Sequence, residues 1–146
     1  MVKNKLHQLW LLLLGCFIVS CSAMGKTPVL KNTKWKAIQE EFVADAGTLT
    51  ITHTLEFGPG NDVLVTENTH MPSYPAMYMN PDGTIDTMPG WSSENSKKGT
   101  YEIRRNTLII TTEDGTETEY AIKANGTFTY ELPYGSVIEF SRVMDE

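Results

Sequence analysis

The sequence predicts an all-β fold: an eight-stranded antiparallel up-and-down meander barrel with one long insertion between its third and fourth strands. Three observations lead there. Residues 48–57 read Thr-Leu-Thr-Ile-Thr-His-Thr-Leu-Glu-Phe, so Leu49, Ile51, His53, Leu55 and Phe57 share one side of an extended chain, and the threonines with Glu56 share the other. The same two-sided alternation recurs along the chain, punctuated by Gly, Asn and Asp turn sequences. Eight consecutive strands joined by short turns close most economically into a barrel that removes its own edges.

Ahead of the strands, Lys3 and Lys5 precede the apolar run 9–19. That run falls short of the roughly 20 residues a membrane-spanning helix needs, and its basic-then-apolar order is that of a secretory signal. Residues 1–20 are therefore read as a signal peptide. Ile18-Val19-Ser20-Cys21 closes the run and resembles the lipobox of bacterial lipoproteins. The resemblance implies cleavage before Cys21, lipidation of its thiol and acylation of the new amino terminus. Leu13-Leu14-Gly15-Cys16 is the competing cut, and cleavage near Ala23 without lipid is the plain alternative. Residues 21–33 read as the lipidated cysteine and a tether, and 34–146 as one barrel domain. Both cysteines lie in the leader region, so the domain has no disulfide and must hold together by core burial. Ser22 to Lys26 carries no acidic run, which by the same resemblance implies an outer-membrane lipoprotein facing the periplasm, anchored through its N-terminal lipid only.

The chain has 12 basic and 18 acidic residues. Lys3 and Lys5 are the leader's only formal charges, so the remainder holds 10 against 18, about −8. A surface of that sign repels phosphate backbones, which excludes nucleic acid as a partner class.

The elements follow in order. Residues 35–43 form the first strand, with Trp35, Ala37 and Gln39 inward, and Asp45-Ala46-Gly47 turns into the strand 48–57. Gly58-Pro59-Gly60-Asn61-Asp62 is dense turn chemistry, and 63–69 returns. Residues 71–98 break the rhythm with four of the chain's seven prolines. Within them 76–80 and 84–88 flank Pro81-Asp82-Gly83 as a small hairpin, and the polar run 91–98 is expected to be mobile. Regular strands resume at 99–104, 107–112, 118–123, 127–132 and 137–143. Tyr101, Ile103, Leu108, Ile110, Tyr120, Ile122, Phe128, Tyr130, Leu132, Ile138 and Phe140 form their inward rows.

Lys34-Trp35 in the first strand, Leu55-Glu56-Phe57 before a glycine turn, Gly99-Thr100-Tyr101, the run Asn106 to Ile110, and Asp114-Gly115 before a closing hairpin together resemble the small lipocalin-like lipoproteins of bacteria. The likeness covers roughly 30–143 and rests on loosely spaced single residues. Thr33 stands where lipocalins place the glycine of Gly-x-Trp. The resemblance implies a barrel, shallow or partly open, whose mouth or interior holds a small apolar molecule; it names no substrate.

No Gly-x-Ser-x-Gly, His-Glu-x-x-His or phosphate loop occurs, so a non-enzyme without a cofactor or metal is expected. His53 on the inward face reads first as a buried neutral histidine. Register about the turn near Gly60 pairs it with Glu67 or Asn68, which leaves His70 only a diagonal approach. His70, Met71, Met77 and Met79 offer soft donors at loose spacing, and 80–86 is too short for a calcium loop. The expected function is binding of a small, largely apolar ligand by Ile51, His53, Phe57, Tyr101, Tyr120, Phe128 and Tyr130 from the inner rows and Tyr78, Met79 and Trp91 from the insertion. The alternative is an envelope interaction module, its barrel packed solid and its 71–98 insertion docking a protein or glycan. An interior cavity of about 300 Å³ or more separates the first from the second.

Overall fold

A computed structural model describes residues 27–144. The expected signal peptide, the lipidation at Cys21, its rival Cys16 and residues 22–26 of the tether lie outside the described residues. Among the described residues there are ten strands: β1 (Thr33–Val43), β2 (Gly47–Phe57), β3 (Asp62–Met71), β4 (Tyr74–Met79), β5 (Ile85–Met88), β6 (Trp91–Arg104), β7 (Thr107–Thr112), β8 (Glu117–Ile122), β9 (Phe128–Glu131) and β10 (Val137–Val143). Eight of them close a barrel in the order β1-β10-β9-β8-β7-β6-β3-β2, and β4 pairs only with β5. This is the meander predicted, with the extra hairpin between the third and fourth barrel strands. Antiparallel alternation gives the barrel two ends. Residues 30–32, 58–61, 105–106 and 123–127 lie at the base, and 44–46, 113–116, 132–136 and the insertion lie at the rim.

The alternating apolar residues point inward because only that face can be removed from water. At the base end Trp35, Leu55, Phe57, Val63, Leu108, Ile110, Phe128, Ile138 and Phe140 form one buried cluster, with Tyr101, Ile103, Ile122 and Tyr130 packed against it. Leu30 belongs to it too, so ordered packing starts inside the stretch expected to be tether. Thr33 explains why glycine is not required before the tryptophan. Its hydroxyl donates to the Leu30 carbonyl and accepts from the Trp35 indole at 2.9 Å, which satisfies a buried polar pair that glycine would leave without a side-chain partner.

Four turns share one geometry, at 80–84, 112–116, 123–127 and 132–136. In each the first residue's N–H reaches the fifth residue's carbonyl, and a fourth-position glycine donates back to the first carbonyl, at 2.7–3.0 Å throughout. Those glycines sit at φ of 81° to 85°, the left-handed region that other residues enter only at a cost. In three of the turns the residue before the glycine is Asp or Asn, and its side-chain oxygen accepts the N–H two residues on: Asp82 from Thr84, Asp114 from Thr116, Asn125 from Thr127.

The strands are unequal in length. β1, β2, β3 and β6 have 11, 11, 10 and 14 residues, while β7 to β10 have 6, 6, 4 and 7. The four long strands therefore rise past a short barrel as a one-sided wall. The run 91–98, expected to be mobile, is part of that wall: Met71↔Trp91 to Asp62↔Thr100 form an unbroken ladder between β3 and β6. Side-chain pairs stitch it on the outer face, His70 to Ser92 at 2.9 Å, Asn68 to Glu94 at 3.3 Å and Thr66 to Ser96 at 3.0 Å. The insertion proper shrinks from 71–98 to 72–90. Gly99 marks where β6 leaves the barrel, for a Cβ there would lie 2.5 Å from the Thr111 carbonyl oxygen, so β7 can cross at this distance only against glycine.

Candidate functional site

The inner rows converge on aromatic rings that touch one another. Phe128 meets Trp35 at 4.6 Å between centroids and Phe140 at 5.2 Å, Phe57 meets Tyr101 edge-on at 4.9 Å, and Tyr120 lies 5.5 to 6.1 Å from Tyr130, Phe140 and Phe128. Phe128 and Leu108 have no exposed surface. Offset and edge-on contacts of this kind add to burial, and they occupy the volume a ligand at this level would need. Of the expected ligand contacts, Phe57, Tyr120 and Phe128 thus serve as core, with Tyr101 and Tyr130 half-buried at its margin. Burial drives the Tyr120 phenol well above its usual range, with Tyr130 adding to the effect.

Ile51 and His53 sit above that floor, on the wall. His53 stands opposite Glu67 in the β2–β3 ladder, one of the two partners, Glu67 or Asn68, that the turn allowed. Its Nε2 lies 3.3 Å from Gln39 Oε1 and its Nδ1 3.8 Å from Glu67 Oε2, while the Gln39 amide donates to Glu41. A polar chain Glu41–Gln39–His53–Glu67 therefore crosses three strands. Burial lowers the His53 pKa from its ordinary value of 6.5, and Glu67 offsets part of this. The imidazole is neutral at pH 7 and anchors side chains rather than charge. Gln39 and Glu67 are site residues that pattern reading passed over as contacts; the inward step Trp35, Ala37, Gln39 was the signal for the first.

The remaining expected contacts, Tyr78, Met79 and Trp91, belong to the rim. Ala76 is buried, and the hairpin leans toward the β1–β2 turn, where Asp45, Pro75, Ala76 and Met77 line a groove of about 400 Å³. The hairpin's larger apolar side chains are nonetheless bare: Met77 is 81% exposed and Met79 65%, with Tyr78, Ile85 and, at the start of β6, Trp91 about half exposed or more. The structure therefore divides the ten expected contacts between a filled floor, a half-open wall and an exposed hairpin, and does not bring them around one space. Phe42, 82% exposed on the outward face of β1, also lies near the rim; it went unnoticed because it falls on the polar row.

A groove of about 570 Å³ crosses the outside of the wall between Lys36, Thr52, Thr66 and Glu94, with Thr, Asn and Ser side chains along it and no inner-row residue. Among the described residues no three His, Cys, Asp or Glu side chains group as a metal would require, and no helix is long and apolar enough to cross a membrane. The comparisons with known proteins found no matching family model, curated protein or solved structure. An eight-stranded closed barrel is the fold the lipocalin-like resemblance implies, yet a barrel alone does not identify that family.

Proposed function

We propose that the chain is an interaction module of the bacterial cell envelope, tethered through a lipid on Cys21, whose packed barrel presents the insertion hairpin to a protein partner. The observation that carries this reading is the contrast between a filled centre and a bare hairpin, with Phe128 at 0% exposure and Met77 at 81%. Apolar side chains gathered on one protruding element are a recurrent mark of interfaces. Methionines adapt to varied partner shapes, and Tyr and Trp anchor them. A glycan partner is less well served. The hairpin's polar groups are engaged with one another, Asn80 donating to Thr84 and Asp86, and Asp82 accepting from Thr84.

The small apolar ligand is the second reading, and half-buried Ile51, Val65 and Tyr130 beneath an open rim favour it. Such a molecule would rest on the aromatic floor, against the wall, and not within the barrel.

A photo-crosslinking side chain placed at Met79 in native cells is expected to yield a discrete protein adduct that the same group at Thr52 does not. The reading fails if Met79 gives none while native mass spectrometry of the membrane-extracted protein releases about one apolar molecule per chain. The same spectra test the anchor: an intact peptide starting at Cys21 without an acyl adduct removes it.

A further inference from the structure

The barrel closes through three residue pairs between its first and last strands, Lys34↔Val143, Trp35↔Arg142 and Lys36↔Ser141. β1 then continues to Val43, paired only with β2, while residues 137–140 of β10 pair only with β9. Above Lys36 the wall of the barrel is thus forked. A groove of about 380 Å³ opens at the crotch, between Lys36, Ala37 and Ile38 on one side and Glu139, Ser141 and Arg142 on the other. Beyond it runs a seven-residue strand edge, 37–43, with no neighbouring strand among the described residues.

From this geometry we infer that the 37–43 edge of β1 receives an extended peptide segment of a partner protein by strand addition, which is separate from the hairpin surface and does not depend on it. Strand edges present unpaired backbone donors and acceptors, and a strand joining them gains main-chain hydrogen bonds wherever its residues fall in register. The side chains beside the edge state what the joining strand carries. The outward row of β1 holds Ile38 at 56% exposure, exposed Glu40 and Phe42 at 82%. A strand lying alongside places every second side chain in line with that row. Its best match has a Lys or Arg beside Glu40, flanked two residues away on each side by a β-branched or aromatic residue. Val137, 60% exposed on the far branch of the fork, extends the apolar rim.

A second copy of the chain fits this edge worse. Antiparallel pairing of 37–43 with itself, aligned so that Ile38 meets Phe42, sets Glu40 directly against Glu40, and like charges facing across strands destabilise the pair. The same glutamates, which guard the edge against a copy of itself, favour a basic partner.

The probe is a blocked peptide, Thr-Val-Thr-Lys-Thr-Val-Thr, titrated into the full chain in detergent and followed by amide hydrogen exchange. Protection is expected to rise in 37–43 and to stay level in 107–112. A proline replacing the central lysine removes one backbone donor and should abolish that gain. Glutamate in place of the lysine should weaken binding roughly two- to five-fold, and Glu40→Lys should invert the preference between the two charged peptides. Because Glu40 is exposed, that variant keeps its fold, which unchanged protection elsewhere verifies. Three results overturn the proposal: no gain at millimolar peptide, a gain indifferent to proline, or an edge already protected without peptide. The last, with sedimentation at twice the monomer mass, assigns the edge to a second copy; at monomer mass it assigns the edge to the chain's own residues.

Discussion

At the scale of single residues, the four repeated rim and base turns contain their own control. Asp82, Asp114 and Asn125 each cap the turn by accepting the N–H two residues on, but the matching position of 132–136 is Tyr134, which has no such acceptor and is 97% exposed. Tyr134→Asp adds the missing bond at no cost in burial, so it is expected to stabilise the fold by about 0.5–1 kcal/mol, read as a raised urea midpoint with unchanged slope. His53 makes a pH prediction of definite sign. Its pKa is lowered in the folded state, so the unfolded chain binds the proton more tightly. Stability is then complete above about pH 6.5 and declines as pH falls below it toward the folded value. His53→Gln should flatten that part of a urea-midpoint profile between pH 8 and pH 5. Asp114, which Lys97, Thr112 and Thr116 hold well below the usual carboxylate range, loses its contribution only at still lower pH. These residue-level features were partly legible beforehand. Asp-Gly and Asn-Gly announced their turns because only a few residues tolerate positive φ, and counting about Gly60 narrowed the partner of His53 to Glu67 or Asn68, of which the ladder holds Glu67. The hydrogen bond from the His53 ring to the Gln39 amide oxygen was not legible, since nothing in a sequence says that two inward side chains on neighbouring strands meet.

At the scale of elements, β6 is where pattern reading failed, and the reason is physical. Periodicity reports a strand only when one face is buried. All of residues 91–98 are exposed, so no alternation of polarity marks them, and the cross-strand pairs to His70, Asn68 and Thr66 that hold them are polar on both sides. β2 was obvious for the opposite reason: Leu55 and Phe57 lie in the core while Thr54 and Glu56 do not. The close approach of β7 to Gly99 makes a sharp test. Gly99→Ala puts a methyl group 2.5 Å from the Thr111 carbonyl oxygen, which backbone cannot accommodate without moving. A loss of about 1–3 kcal/mol is expected, measured by urea unfolding, with faster amide exchange in β7 and little change in β2. The hairpin, by contrast, contributes Ala76 to the core and leaves Met77 and Met79 in water. Replacing 74–88 by a short Gly-Ser link should therefore leave the unfolding transition nearly in place while removing any adduct formed at the hairpin.

At the scale of the whole molecule, stability and accessibility are segregated along the barrel axis. Phe128 is the hub of the lower half, in contact with Trp35, Phe57, Tyr120 and Phe140, and Phe128→Ala is expected to cost about 3–5 kcal/mol. Ile51→Ala, on the half-open wall, should cost well under half as much, and equilibrium unfolding of the two variants side by side decides it. The barrel itself was legible from alternation and turn spacing, and the filled centre was not, because inward rows look alike whether they enclose a space or close it. The meander's even number of strands has a further geometric result. Thr33 enters and Val143 leaves as neighbours at one pole, and the hairpin crowns the other, roughly 30 Å away for tilted strands of this length. The lipid proposed on Cys21 would join the molecule at its foot, with the methionine-bearing crown at the opposite pole.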